Sequence, residues 1–139
     1  MHMRKAAQQL LLVFLGSIIF SVPARAQINF SATLPFAFQV EEIKFPQGAY
    51  TISQENPDKK IIIRSQKGRE SGQLASSPLP PQSAFERDET WLVFHRYGDK
   101  YFLSEIWSHH IGRLMTVSSA EKQLRESGAK GTDVRVNVK

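Results

Sequence analysis

Two residues, Gly98 and Asp99, lie between the runs Trp91–Tyr97 and Lys100–Trp107, and nothing else in the chain narrows the choice of fold as far. Glycine at the first central position of a two-residue loop suits a type II′ turn, whose twist matches that of paired antiparallel strands. A loop of that length fixes register. Tyr97 then faces Lys100, Arg96 faces Tyr101, His95 faces Phe102 and Phe94 faces Leu103. Carried outward without interruption, the register sets Leu92 against Glu105 and Trp91 against Ile106. Side chains alternate along a strand, so two faces are predicted. One holds Leu92, Phe94, Arg96, Tyr101, Leu103, Glu105 and Trp107; the other holds Trp91, Val93, His95, Tyr97, Phe102, Ser104 and Ile106. Both are largely apolar, whereas a half-exposed hairpin has one polar face. The hairpin is therefore expected at the centre of a sheet. One face belongs in the core; the other packs under a helix or loop, lines a pocket, or meets another chain.

The remaining patterns are also strand-like. Phe30, Ala32 and Leu34 alternate with polar residues, Pro35 interrupts, and Phe36, Phe38 and Val40 alternate again. Pro46-Gln47-Gly48 is a turn before a short strand, Ala49–Ser53. The polar run at 55–60 turns the chain into Ile61-Ile62-Ile63, which is apolar on both faces as in a central strand. Glu70–Ser76 reads as a further strand. Ser76–Thr90 reads as a long proline-bearing loop, anchored by Phe85 and the most mobile internal segment. A turn at His109-His110 leads to another strand. Ser118 and Glu121 form the pattern of a capping box, with Glu121 reaching back, and Gly128 ends the helix. Val134, Val136 and Val138 make a closing strand with one wet face. The sum is a mainly β fold, an antiparallel sandwich or small barrel of about seven to nine strands with one short helix near the C-terminus.

The first 26 residues read differently. Arg4 and Lys5 precede an uncharged apolar run of 13 residues, Leu10–Val22, and then Ala24 and Ala26 at the positions a signal peptidase reads. Spanning a bilayer takes roughly 20 residues, so this is a cleaved leader and no stable membrane span is expected afterwards. Residues 27–139 then form a single domain, placed in the periplasm or secreted. The formal charge of the whole chain is +5. Arg4, Lys5 and Arg25 leave with the leader, so 15 cationic side chains face 13 acidic ones in the remainder, with no basic run. Nucleic-acid binding has little support on that balance. The chain has no Cys, which removes disulfides, thiol chemistry and thiolate metal sites together.

Signatures of chemistry are sparse. The sequence has no G-x-S-x-G, H-E-x-x-H, phosphate loop or glycine fingerprint. His109 and His110 are adjacent and lack a third ligand at a recognisable spacing, so no metal site is assigned. No cofactor is expected. Glu41-Glu42 and Asp88-Glu89 read as solvation. The candidate binding residues are those of the aromatic hairpin: Trp91, His95, Arg96, Tyr97, Tyr101, Glu105 and Trp107. Arg96 beside Tyr101 is expected to stack as a cation–aromatic pair.

Three stretches, Ile28–Val40, Phe45–Ile52 and above all Leu92–Trp107 with its His-Arg-Tyr-Gly-Asp motif, resemble a family of small secreted bacterial β-rich proteins. The resemblance covers roughly Gln27 to Gly128. It implies export and β structure, and transfers no activity. The leading functional reading is a non-enzymatic binding or envelope-associated module, with an unknown ligand or envelope component as partner. The alternatives are a subunit of a homo-oligomeric assembly and a hydrolase with a dispersed site near His95. A buried His95 with no carboxylate within reach would favour the binding module. The leader makes the first prediction: mass spectrometry of exported material finds Gln27, or its cyclised form, at the N-terminus. A full-length precursor in the membrane fraction would count against it.

Overall fold

The computed structural model describes residues 28–54, 60–80 and 89–139. The leader with its cleavage site, most of the polar turn before Ile61, and Phe85 lie outside them. The described residues form eleven strands and one helix. Two sheets, antiparallel apart from one parallel bridge at Gln39 and Phe102, share one core, and among the described residues no barrel closes.

The smaller sheet has the order β1-β4-β5-β6, built from Asn29–Leu34, Gly48–Ser53, Ile61–Ser65 and Ser71–Leu74. The isoleucine run occupies a central strand, as its two apolar faces predict; Ile61 and Ile63 are fully buried and Ile62 is half-buried. In the larger sheet the path is β11-β8-β9-β10-β7. Here β7 is Ser76–Leu79, β8 Thr90–Tyr97, β9 Lys100–Ser108, β10 Ile111–Met115 and β11 Thr132–Val138. Two three-residue strands complete it: β2 (Phe38–Val40) pairs with β3 (Ile43–Phe45) and touches β9 through Gln39 and Phe102. The helix α1 runs Ser119–Glu126. No helix among the described residues is long and apolar enough to cross a membrane.

The strand count exceeds the expected seven to nine by two. Ile43–Phe45 is too short to show alternation. Ser76–Leu79 was expected within a loop, yet it pairs with β10 at the end of the sheet. Pro78 is tolerated there because an edge strand has one unpaired side. Only Ala75 separates β6 from β7, so the chain passes from one sheet to the other at a single residue.

The central hairpin follows its predicted register from Tyr97↔Lys100 to Phe94↔Leu103. Gly98 has φ +65° and Asp99 does not enter the positive region, consistent with the type II′ turn. Beyond Phe94 the expectation fails. A bulge leaves Ser104 without a partner, and the pairs become Val93↔Glu105, Leu92↔Ile106 and Trp91↔Trp107. One extra residue flips every side chain after it to the opposite face. Ile106 therefore joins Leu92, Phe94 and Leu103 in the core. Glu105 and Trp107 move to the outer face with Trp91, His95 and Tyr97.

The core gathers Leu34, Tyr50, Ile52, Ile61, Ile63 and Leu74 from the smaller sheet against Leu92, Phe94, Leu103, Ile106 and Met115 from the larger. Phe38 and Phe45 stack at 5.0 Å and meet Tyr50 edge-on, closing one side. Phe94 has no exposed surface and receives Phe36 and Phe38 edge-on. Phe94→Ala should cost roughly 3–5 kcal/mol, a large share of the roughly 5–15 kcal/mol a domain holds in total. Thermal or denaturant unfolding measures this; a variant that melts like wild type would refute the placement of Phe94.

Candidate functional site

The outer face of the larger sheet carries the polar chemistry, and the helix brings the rest. Ser118 caps α1 by accepting the N–H of Glu121 at 3.1 Å. The Glu121 carboxylate does not reach back to complete the capping box. It turns to the sheet and is 3% exposed, the single buried residue of the helix. Its Oε1 lies 2.6 Å from His95 Nδ1, and accepts from Tyr97 Oη and Arg125 Nη2, each at 3.1 Å. Arg125 Nε donates to Tyr97 Oη at 2.9 Å. That bond first, and the charge of Glu121 to a smaller extent, hold the Arg125 guanidinium above its ordinary value against the opposing effect of desolvation. Arg125 Nη2 also lies 3.2 Å from His95 Nδ1, so that edge of the imidazole faces a buried acid and a cation together.

His95 Nε2 points the other way, 3.5 Å from the exposed carboxylate of Asp133. A recess of about 290 Å³ opens here, lined by His95, Tyr97, Arg125, Ala129, Gly131 and Asp133. Gly131 is required by close approach: a β-carbon there would meet the Tyr97 ring at 2.8 Å. The helix ends in a Schellman arrangement, Ala129 N to Leu124 O and Gly128 N to Arg125 O, with Gly128 at φ +87°. That cap sends the chain across the recess into β11.

A larger groove, about 580 Å³, lies on the other side of α1, between the helix and the β2–β3 hairpin. Phe38, Phe45 and Phe102 are buried in its floor, with Tyr101, Leu124 and Ala120 half-buried beside them. Gln39, Glu42, Lys44, Asp99, Lys100 and Gln123 bring polar groups to its rim. Among the described residues, neither Lys44 nor Lys100 has an ion-pair partner.

Glu41 and Glu42, expected to be solvated, are both committed. They form the turn between β2 and β3, with Glu41 at φ +50°. Glu41 accepts the N–H of Ala75 at the corner between the sheets. Glu42 Oε1 accepts from Ser119 Oγ at 2.7 Å and from Ser119 N at 3.1 Å, at the start of α1. Likewise Glu89 is paired, 2.9 Å from Arg135.

The seven hairpin candidates separate into three places. His95 and Tyr97 meet the helix. Trp91 and Trp107 stack at 5.4 Å, with Arg135 over Trp91 at 4.1 Å and Glu105 accepting the Trp107 indole N–H at 2.8 Å. Both indoles are buried, and Trp107 covers Gly112, where a β-carbon would fall 2.3 Å from the ring. Arg96 and Tyr101 lie on the opposite face as the expected cation–aromatic pair, 5.6 Å apart, with Tyr101 stacked on Phe36. The partners missed in the sequence are Glu121, Arg125 and Asp133, together with the groove residues. Glu121 and Arg125 stand at i and i+4, which was a legible sign that they share a helix face. His109 and His110 form the β9–β10 turn, with His109 at φ +57°. Among the described residues no three metal-capable side chains gather.

No family model, curated protein or solved structure matches this chain.

Glu42 yields a pH prediction. Its bonds from the Ser119 side chain, and then from the Ser119 backbone, hold its carboxyl below the ordinary 4.5. A depressed folded value adds stability above the unfolded value, and that contribution is lost as pH falls through the folded one. Glu42→Gln should therefore melt lower than wild type at neutral pH, with the difference shrinking in acid below 4.5. A gap that is constant across this range would show that the carboxylate charge is not what the helix start uses.

Proposed function

We propose that the chain is an exported, non-enzymatic binding module, cut after Ala26 and delivered to the periplasm or the medium. Its ligand site is the groove between the β2–β3 hairpin and α1. One observation carries this reading: an aromatic floor lies beneath two lysines, Lys44 and Lys100, that have no ion-pair partner among the described residues. A site of several hundred Å³ with an apolar base and a few polar groups is the usual form of a small-ligand pocket. The matching chemistry is an organic anion with a flat or apolar body, free or displayed on an envelope component. The amides of Gln39 and Gln123 can donate to its polar end. The test is a fluorescence titration with anilinonaphthalene sulfonate, which has this character. Saturable binding to the cooperatively folded chain is expected. It should be weakened in Lys44→Glu/Lys100→Glu and lost in Gln123→Trp, which fills the groove from an exposed helix position. Absence of saturable binding, or binding indifferent to Gln123→Trp, removes the reading.

A hydrolase is the second reading, and the condition that would have set it aside is not met: His95 has a carboxylate within reach. Nδ1 held by a buried acid with Nε2 turned to a recess is the arrangement of an oriented general base. No serine or threonine lines that recess among the described residues, so water would be the nucleophile. Turnover of p-nitrophenyl esters or phosphodiesters that disappears in His95→Gln, with melting unchanged, would move the assignment here. Under the binding reading, His95→Gln loosens the helix and no turnover is seen in either protein.

A further inference from the structure

The groove between α1 and the β2–β3 hairpin carries charges of both signs. Lys44 and Lys100 line it, and so do Glu42 and Asp99. All four residues are exposed, and among the described residues none of them forms an ion pair with another. The strand register places them. Lys44 lies opposite Gln39, and Gln39 opposite Phe102, so these residues make one row across β3, β2 and β9. Glu42 stands two residues from Lys44, toward the β2–β3 turn. Lys100 stands two residues from Phe102, toward the β8–β9 turn. Because β2 runs parallel to β9 and antiparallel to β3, those steps go in opposite directions. At roughly 3.3 Å per residue, Glu42 and Lys100 bound a stretch of roughly 13 Å, with Lys44 and the apolar floor between them.

We propose that the occupant of this groove is a zwitterion: its anionic group lodges between Lys44 and Lys100, its ammonium group meets Glu42, and its apolar body lies on the phenylalanine floor. The inference rests on the groove reading and narrows it. A site for a simple organic anion has no use for an acid on its rim, because a like charge costs affinity. A ligand that carries both signs satisfies the lysines and the acid together, and the separation of those groups gives it a direction. Glu42 is suited to the ammonium. Its Oε1 accepts from Ser119 Oγ at 2.7 Å and from Ser119 N at 3.1 Å, which fixes the carboxylate at the start of the helix. A group already fixed loses little freedom when a ligand arrives. Its Oε2 accepts no hydrogen bond among the described residues, and Lys122 acts on the carboxylate through its charge alone. The bonds from Ser119, side chain first, hold the carboxyl below the ordinary 4.5, so it is ionised at neutral pH. Asp99, in the turn beside Lys100, has no comparable bond to fix its carboxylate.

The test is isothermal titration of the purified chain at neutral pH with three probes of one shape. These are p-(aminomethyl)benzoate, a zwitterion; p-methylbenzoate, which lacks the amine; and benzylamine, which lacks the carboxylate. The zwitterion should bind about fivefold more tightly than either of the others, the scale of one solvent-exposed ion pair. Glu42→Gln should erase its advantage over p-methylbenzoate. Ser119→Ala cuts a bond of the same tie but leaves the charge, so it may weaken every probe and should keep the preference. That variant separates recognition by the carboxylate from a loosened helix start. If p-methylbenzoate binds as well as the zwitterion, or the preference survives Glu42→Gln, the inference is overturned while saturable binding of anilinonaphthalene sulfonate still upholds the groove. If that dye fails to bind as well, the groove and the zwitterion fall together.

Discussion

Ser104 is one residue more than the ladder between β8 and β9 can use, and much of the molecule follows from how it is absorbed. Without the bulge, Glu105 and Trp107 would point between the sheets and Ile106 would point out. A carboxylate would then be buried in an apolar core, at a cost that neutral packing does not carry. With it, Ile106 completes the layer formed by Leu92, Phe94 and Leu103, and the acid finds an indole N–H on the outside. The bulge also brings Trp91 and Trp107 opposite one another, so the outer face gains its own packed aromatic layer.

That outer face is where the helix sits, and the attachment is unusual in kind. An amphipathic helix normally buries an apolar stripe. The residue α1 buries is Glu121, and its neighbours on the sheet are a histidine and a tyrosine hydroxyl. Hydrogen bonds demand direction as well as proximity, so this clamp fixes how the helix is rotated as well as where it lies. Among the described residues no buried side-chain nitrogen or oxygen lacks a partner, which is the condition under which a buried polar network is stable. The orientation it sets leaves Leu124 and Ala120 on the groove side and Arg125 on the recess side.

Much of the fold was legible because it is written locally. Gly98-Asp99 names a turn, the isoleucine run names a central strand, and Ser118 with Gly128 brackets the helix. The bulge was not legible, since Ser104 looks like any alternating residue and only the competition between Glu105 and Ile106 for the core reveals it. Short edge strands such as Ser76–Leu79 lack a period long enough to read. At the candidate site the hairpin half was identified and the helix half was not. His95 and Glu121 are 26 residues apart in sequence, and a carboxylate placed by its spacing in a capping box gives no sign of a distant partner. The groove was hidden for the same reason, because its walls come from three separate parts of the chain.

The β2–β3 turn has a consequence for how the chain becomes a protein. Glu41 closes on Ala75, 34 residues on, and Glu42 on Ser119, 77 residues on. The central strand β8 gains its second neighbour only from Thr132–Val138. A chain emerging N-terminus first can therefore assemble the smaller sheet, whose strands all lie within residues 29–74, well before the larger one. The core that the two sheets share must wait for the larger sheet, so its closure is late and depends on contacts distant in sequence. Until then the apolar face of the smaller sheet has no completed partner to pack against.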